Sequence, residues 1–234
     1  MALIVVLAVM NGFQQDLKAR ILGITSHILT GRFDGFVANY RTAMEEVKQE
    51  QGVVASSPFI YTQVMLSSGK GVAGAVLRGI DPHTAGLVTN IKRNLIRGNL
   101  NDLILPEAES PSVTPNPGII LGSELAGTLA VQQDDYITVV SPTGRLTPLG
   151  QSPKSRLFRV VGIFQSGMFE YDNTPAYVGL PAAQQLLGLG DVASGLEINV
   201  SDIYQAQEVA KKVGARLGHS FWVRDWMQMN RSLF

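Results

Sequence analysis

Two periods alternate in the pattern of apolar and polar positions along the chain. A period of two, typical of strands, covers residues 195–200, and a period of about 3.6, typical of helices, covers residues 36–50. The same criterion predicts helices over residues 36–50, 85–94, 100–105, 123–130, 181–187 and 204–217. It predicts strands over residues 26–32, 53–67 with a break near Pro58, 72–81, 119–121, 136–141, 157–161, 176–179, 195–200 and 220–223.

The order of these elements predicts two lobes. A strand–helix–strand unit occurs near each end of the chain, and two such units can form a split βαβ layer of two helices on one sheet. The predicted fold class is therefore α+β. We assign the split βαβ layer to residues 14–87 and 190–223, and an inserted, β-rich lobe to residues 88–189.

Both ends of the chain are apolar. Residues 2–10 form an unbroken apolar run that is shorter than the roughly 20 residues of a membrane-spanning helix. Apolar positions continue beyond it at steps of four, which favours a helix over a buried strand. Both tryptophans lie near the other end, as at a membrane interface, although a core strand is the alternative for Trp222. We expect residues 1–13 to end one transmembrane helix and residues 224–234 to approach a second.

Composition excludes several classes of protein. Hydrophobic residues make up 45% of the chain and charged residues 16%, which excludes a disordered chain. Lys+Arg and Asp+Glu number 19 each, so no net basic charge indicates a nucleic-acid partner. Cysteine is absent, which excludes disulfides, thiolate zinc sites and thiol nucleophiles.

The sequence contains no motif that predicts catalysis or a cofactor. Residues 69–74 match G-x-G-x-x-G, but a strand pattern follows them where a dinucleotide site needs a helix, so a hairpin turn is the preferred interpretation. Neither a P-loop nor a G-x-S-x-G motif occurs. His27, His83 and His219 lack metal-ligand spacing. We therefore expect a non-enzymatic protein without a cofactor or a metal.

The most unusual stretch lies between two β-rich arms, residues 138–141 and 157–161. It is rich in Gly, Pro, Ser, Thr and basic residues, and its length predicts a hairpin whose tip is too long for a two-residue turn. Pro142, Pro148 and Pro153 cannot donate to a ladder, which predicts a stiff but poorly paired tip. An irregular stretch of this length is either a mobile surface loop or a functional element.

Five motifs occur along the chain in an order that points to a family. They are VMNGF from Val9, RILGITSHI from Arg20, RGIDP from Arg78, GIILGSELA from Gly118 and WMQMNRSLF from Trp226. Together they resemble the permeases of lipoprotein-releasing ABC transporters, the LolC/LolE family. The resemblance implies a periplasmic domain of an inner-membrane permease, with a porter-like lobe, an inserted Sabre lobe and a MacB-like core. It also implies a separate LolD-like ATPase subunit and a second permease subunit, either LolE-like or a copy of this one.

The same resemblance implies a role for the unusual stretch. In the LolC type, a protruding β-hairpin called the hook captures the soluble lipoprotein carrier LolA, and the LolE type lacks it. Residues 138–161 would form this hook, with Thr147, Pro148, Leu149 and Gly150 at its tip. An apolar Leu149 would be its anchor in the carrier.

Basic residues near the tip would form the polar part of the docking surface. Arg156 matches a basic position in the pad that binds the carrier in this family. Arg145 and Lys154 would help to steer the approach of the carrier. Ile137 is a departure, since it stands where a pad arginine is expected.

These observations leave three hypotheses. The leading one is a LolC-like periplasmic domain that recruits LolA and hands over lipoproteins bound for the outer membrane. The alternative is a mechanotransmission domain of a related MacB/FtsX-type permease that binds no carrier. The third hypothesis is a hydrolase with an unrecognised site.

Overall fold

The computed structural model describes residues 6, 12, 25–105, 115–147 and 150–230. The expected end of a transmembrane helix in residues 1–13 lies outside these residues apart from positions 6 and 12, and so do residues 231–234. None of the helices in the described ranges is long and apolar enough to cross a membrane.

Ten strands and eight α-helices make up the described part of the chain. They are β1 Ile28–Arg32, α1 Tyr40–Lys48, β2 Val53–Ser67, β3 Val72–Ile80, α2 Ala85–Val88, α3 Ile91–Asn94, β4 Leu95–Arg97, β5 Gly118–Gly122, α4 Ser123–Leu129, β6 Tyr136–Thr147, β7 Gly150–Phe164, α5 Phe169–Asn173, β8 Pro175–Gly179, α6 Leu180–Leu187, β9 Gly195–Val200, α7 Ala206–Leu217, β10 Phe221–Asp225 and α8 Trp226–Met229. Short 3-10 helices cover Leu100–Leu103 and Ile203–Gln205.

Four strands form an antiparallel layer in the order β10-β1-β9-β2. The helix α1 connects β1 to β2, and α7 connects β9 to β10, so the layer consists of two strand–helix–strand units. Apolar side chains of both helices share one core with Ile28 and Ile198, which are direct partners on β1 and β9. This arrangement confirms the α+β class and the split βαβ layer.

A closed ring of six strands adjoins this layer. The first half of β2 pairs with β9, and its second half pairs with β3 on one side and with β6 on the other. The remaining pairs are β3–β8, β8–β5, β5–β7 and β7–β6, which return to β2. Closure gives each of these strands a neighbour on both sides. The sequence-derived lobe boundaries, 14–87 with 190–223 and 88–189, stay a prediction.

The glycine-rich segment at residues 69–74 includes the turn between β2 and β3, as predicted. Ser68 Oγ accepts a hydrogen bond from Gly71 N–H at 2.9 Å and donates one to Leu129 O at 2.6 Å. A Cβ added at Gly71 would lie 2.8 Å from Thr128 O, so this position needs glycine because α4 approaches it closely.

Three details differ from the sequence-based elements. The predicted helix at residues 85–94 is two short helices, because Thr89 between them is extended. The segment at Leu100–Leu103 is a 3-10 helix rather than an α-helix. The predicted break at Pro58 is wrong, since β2 is continuous there. Pro58 is tolerated because the pairing of β2 with β3 begins only at Phe59, so Pro58 has a strand on one side alone.

Contacts within the layer account for both tryptophans. Trp222 lies in β10, donates from Nε1 to Arg32 O at 3.2 Å, and covers Gly31, where an added Cβ would lie 2.7 Å from its ring. Trp226 is buried at the start of α8, and its Nε1 donates to Ile203 O at 3.0 Å. The interpretation of Trp226 as an interfacial residue is therefore wrong, because its indole packs in the core. The approach of residues 224–234 to a membrane stays a prediction.

A buried ion pair joins the ring to the layer. Arg78 on β3 contacts Glu197 on β9, and these residues pair with Tyr61 and Ser57 on the intervening β2. The exposed fractions of the two side chains are 18% and 3%. Burial alone would lower the pKa of the Arg78 guanidinium, but Glu197 and, to a lesser extent, Tyr177 outweigh this and hold the pKa above its ordinary value. Arg78 therefore keeps its positive charge in this buried position.

Substitution of Glu197 by Leu would leave the Arg78 charge buried without a counter-charge. We expect this variant to lose about 3–5 kcal/mol of unfolding free energy in urea titrations. The double variant Arg78→Met/Glu197→Leu removes both charges and should recover most of the loss. As a control, Lys211→Ala removes an exposed pair with Glu208 and should leave stability within error. Equal losses in the single and double variants would contradict a role for charge pairing.

His27 makes the layer sensitive to pH. Its Nδ1 accepts a hydrogen bond from Val200 N–H at 3.1 Å. Burial lowers the pKa of His27, and the proximity of the Val200 carbonyl opposes this only in part. The folded chain therefore binds this proton less readily than the unfolded chain does. By linkage, the free energy of unfolding must fall as the pH drops below about 6.5, the ordinary pKa of histidine.

Urea unfolding at pH 7.5 and pH 5.5 tests this expectation. The wild type should lose more stability between these two values than His27→Gln, which keeps an acceptor for Val200 N–H but does not titrate. Carboxylates contribute equally to the pH dependence of stability in both proteins, so the difference between the two pH dependences is due to His27. Parallel pH dependences in the two proteins would exclude His27 as the titrating group.

Candidate docking surface

The hairpin of β6 and β7 is paired almost along its whole length. Direct partners run from Tyr136 and Arg159 to Ser141 and Lys154, and resume until Thr147 and Gly150. The strands therefore do not end at residues 141 and 157, and the expectation of a long, poorly paired tip is wrong. A ladder that reaches Thr147 and Gly150 leaves only two residues between the strands in the sequence.

The prolines are compatible with this ladder because the register shifts where they occur. Between Ser141 and Arg145 three residues of β6 stand against one residue of β7, Pro153. Pro142 is one of those three residues. The missing N–H groups of Pro142 and Pro153 therefore coincide with an interruption that a bulge produces in any case.

The predicted tip is described only in part. Thr147 and Gly150 form the last pair of the ladder. Pro148 and Leu149 lie outside the described residues, and so do the side chains of residues 143–152, which include that of Arg145. Their assignment to a docking tip stays a prediction.

One face of the hairpin begins in the core of the ring. Direct partners in an antiparallel pair share a face, so Ile137 and Phe158 are followed on that face by Val139 with Arg156. Ile137 is 1% exposed, and Phe158 and Val139 are fully buried. An arginine at position 137 would place a charge in this apolar core. The structure therefore explains why an apolar residue stands at position 137.

Two of the three predicted basic residues contact the C-terminal end of α6. Lys154 Nζ donates a hydrogen bond to Leu187 O at 2.9 Å, and Arg156 Nη1 donates to Gln185 Oε1 at 2.5 Å. Both side chains are half-buried, and partial burial lowers the pKa of the Arg156 guanidinium. Sequence reasoning missed these partners, because the 33 and 29 residues that separate them leave no local signal.

The opposite face of the hairpin carries exposed apolar side chains. Tyr136, Leu157 and Met65 are 52%, 42% and 48% exposed, and Met65 on β2 is the direct partner of Val140 on β6. We call Met65, Tyr136, Val140 and Leu157 the outer patch. The alternation along residues 136–141 could have indicated it, since Tyr136, Thr138 and Val140 must lie on the face opposite to Ile137.

A mostly apolar pocket of about 440 Å³, whose lining also includes Arg41, Asp81 and His83, lies beside α1 and α6. Tyr40 and Met44 of α1 line one side, and Leu103 and Leu180 line the other. Within the described ranges, no cluster of His, Asp and Glu side chains could hold a metal ion. The hairpin with its contacts to α6 is the candidate docking surface.

The sequence matches the family model of the MacB-like periplasmic core domain over residues 1–216. Over 234 residues it is 32% identical to the lipoprotein-releasing system transmembrane protein LolC of Neisseria meningitidis serogroup B, with 100% of this chain and 54% of that protein aligned. It is 28% identical to LolC of Xylella fastidiosa strain 9a5c over 99% of this chain and 54% of that protein. It is 23% identical to LolE of Haemophilus influenzae, with 96% of this chain and 53% of that protein aligned. The chain thus spans about half the length of these curated relatives.

Solved structures share the fold. The extracellular domain of the ABC-type transporter YknZ from Gram-positive bacteria aligns with a TM-score of 0.53 at 12% identity, covering 85% of this chain and 99% of that one. The periplasmic region of MacB from Actinobacillus actinomycetemcomitans aligns with a TM-score of 0.53 at 14% identity, covering 90% of this chain and 94% of that one. At such identities the likeness concerns the fold alone. Because the family model matches residues 1–216, which is most of the sequence, this LolC-like chain belongs to the family of MacB-like periplasmic core domains.

Proposed function

We propose that this domain belongs to an inner-membrane ABC permease of the lipoprotein-releasing type, and that its β6–β7 hairpin docks the soluble lipoprotein carrier LolA in the periplasm. The domain would hand lipoproteins bound for the outer membrane to that carrier. ATP hydrolysis would take place on a LolD-like subunit. A LolE-like chain or a second copy of this one would complete the permease.

The length of the hairpin ladder carries this proposal. The pairing of β6 with β2 ends at Val140 and Met65, whereas β6 continues to pair with β7 as far as Thr147 and Gly150. The last part of the hairpin is therefore a two-stranded ribbon that belongs to the ring at its root only. We assign the centre of the docking tip to Pro148 and Leu149, the two residues between the ends of this ribbon in the sequence.

A paired ribbon is well suited to docking. A segment that is ordered before the partner arrives loses less conformational entropy on binding than a flexible loop does. Leu149 at its end would supply one apolar anchor of the kind that dominates protein–protein affinity. Lys154 and Arg156 near the root, with Arg145 further along, would raise the association rate with an acidic partner surface.

The anchor hypothesis predicts a large effect of one substitution at the tip. Leu149→Glu in the complete permease should weaken the binding of LolA by roughly 30-fold or more, because burial of a leucine side chain contributes about 2 kcal/mol. Pro148→Ala should weaken it less, through a looser turn. Isothermal titration calorimetry in lipid nanodiscs measures both.

Leu87→Glu is the matched control, since Leu87 is 61% exposed on α2, which packs against β2 and β9. It should bind LolA like the wild type. Unchanged affinity in Leu149→Glu would overturn the docking role of the tip. No detectable binding by the wild type would instead favour a mechanotransmission domain of a permease without a carrier.

A further inference from the structure

The ladder of the hairpin contains a weak point just beyond the ring. The Ser141–Lys154 pair is the last one before the register shift, and pairing resumes only at Arg145 and Ser152. Two-stranded ribbons are marginally stable by themselves, and bulges bend them. Without a further contact, the outer part of the hairpin could change its angle to the ring at this point.

Lys154 makes a contact directly beside that weak point, on its ring side, where it pairs with Ser141. The chain after α6 turns back so that Gly188 N–H and Leu189 N–H reach the carbonyls of Gln185 and Gln184. The carbonyl of Leu187, the last residue of the helix, accepts from Lys154 Nζ at 2.9 Å. A cation is also favoured at this position because the C-terminal end of a helix carries partial negative charge.

The residue after the helix is shaped to admit this lysine. Gly188 has a φ of +67° and closes α6 in the left-handed conformation. A Cβ at position 188 would overlap Lys154 Nζ. The backbone conformation therefore favours glycine here, and an added Cβ would displace the ammonium group from its place beside Leu187 O.

Arg156 adds a second contact with α6. It lies two residues from Lys154 on the same face of β7, and its Nη1 donates to the side chain of Gln185 at 2.5 Å. The two cations thus contact the last turn of α6 side by side. The segment that follows α6 is itself attached to the layer, since Ala193 and Val37 exchange two backbone hydrogen bonds of 2.7 and 3.0 Å.

We propose that Lys154 is a positioning residue, which fixes the angle of the hairpin by holding its root against the Leu187 carbonyl at the end of α6, with Gly188 providing the space. Lys154 thereby acts on docking through the hairpin, and this part of the inference rests on the proposed function. The charged hydrogen bond sets the fraction of molecules in which the hairpin has the docking-competent angle. The apparent affinity for the carrier scales with that fraction.

The first arm of the test measures the hairpin angle without a carrier. Residues 1–234 contain no cysteine, so Ser152→Cys on the hairpin and Ala215→Cys on α7 add two labelling sites to them, and cysteines elsewhere in the complete permease are first replaced by serine. Double electron–electron resonance should give one narrow distribution of the distance between the two labels in the otherwise wild-type protein. Lys154→Met, which keeps the apolar stem of the lysine, and Gly188→Ala should each broaden it. Unchanged distributions in both variants would overturn the proposal.

Two comparisons separate positioning from general destabilisation. Gly218→Ala introduces at least as much backbone strain, since φ is +83° and ψ is 175°, but an added Cβ there meets no atom of the described residues within 4 Å. It should leave the distance distribution narrow. Lys154→Arg, which can still donate to Leu187 O, should keep the distribution narrower than Lys154→Met does. Broadening by Gly218→Ala equal to that of Gly188→Ala would also overturn the proposal.

The second arm measures carrier affinity by calorimetry. Lys154→Met should raise the apparent Kd for LolA about tenfold, because a charged hydrogen bond shifts a conformational equilibrium by roughly this factor. A broadened distribution with unchanged affinity would overturn the positioning role in docking. The proposed function is tested by the Leu149→Glu variant and the positioning role by the Lys154→Met variant. The failure of one proposal can therefore be distinguished from the failure of the other.

Discussion

A strand has two edges, and the way in which β6 uses them determines the shape of the candidate surface. From Thr138 to Val140 both edges are paired, one with β2 and the other with β7, and the ring closes. Beyond Val140 only the β7 edge is paired, so the chain must leave the ring as a ribbon. Burial on one face of β6 extends one residue further, since Ile137, Val139 and Ser141 are all buried. Their direct partners on β7 change from the apolar Phe158 to the basic Arg156 and Lys154.

The layer and the ring depend on each other through β2. This strand of 15 residues pairs with β9 in its first half and with β6 in its last residues, while β3 follows its second half. The buried pair of Arg78 and Glu197 crosses the same strand. Hydrogen bonding and charge pairing therefore join the two parts at one place. A movement of the layer would be transmitted to the ring, and hence to the root of the hairpin.

The sequence predicted those features that depend on local periodicity. The strand–helix–strand order near each end was sufficient for the split βαβ layer, and the strand pattern after Gly69–Gly74 was sufficient to exclude a dinucleotide site. The extent of strand pairing in the hairpin was predicted wrongly because prolines are usually incompatible with a ladder. Here Pro142 and Pro153 occupy a register shift, and register is a property of two strands rather than of one.

Contacts between distant residues could not be predicted in the same way. Arg78 and Glu197 are 119 residues apart, and Lys154 and Leu187 are 33 apart. Both pairs form only after the topology of the ring has been set. The basic character of residues 154 and 156 was visible in the sequence, but the sequence did not show that these side chains also bind α6.

The intramolecular contacts of Lys154 and Arg156 are compatible with a second role toward a partner. An ammonium group has three donors and a guanidinium group has five, and each side chain uses one of them in the bond to α6 described above. Both side chains are half-buried rather than fully buried, so part of each remains open to solvent. Charges held in place by the protein orient an approaching partner without the entropic cost of first ordering two long side chains. The same contacts that fix the hairpin would therefore also fix the positive charge beside it.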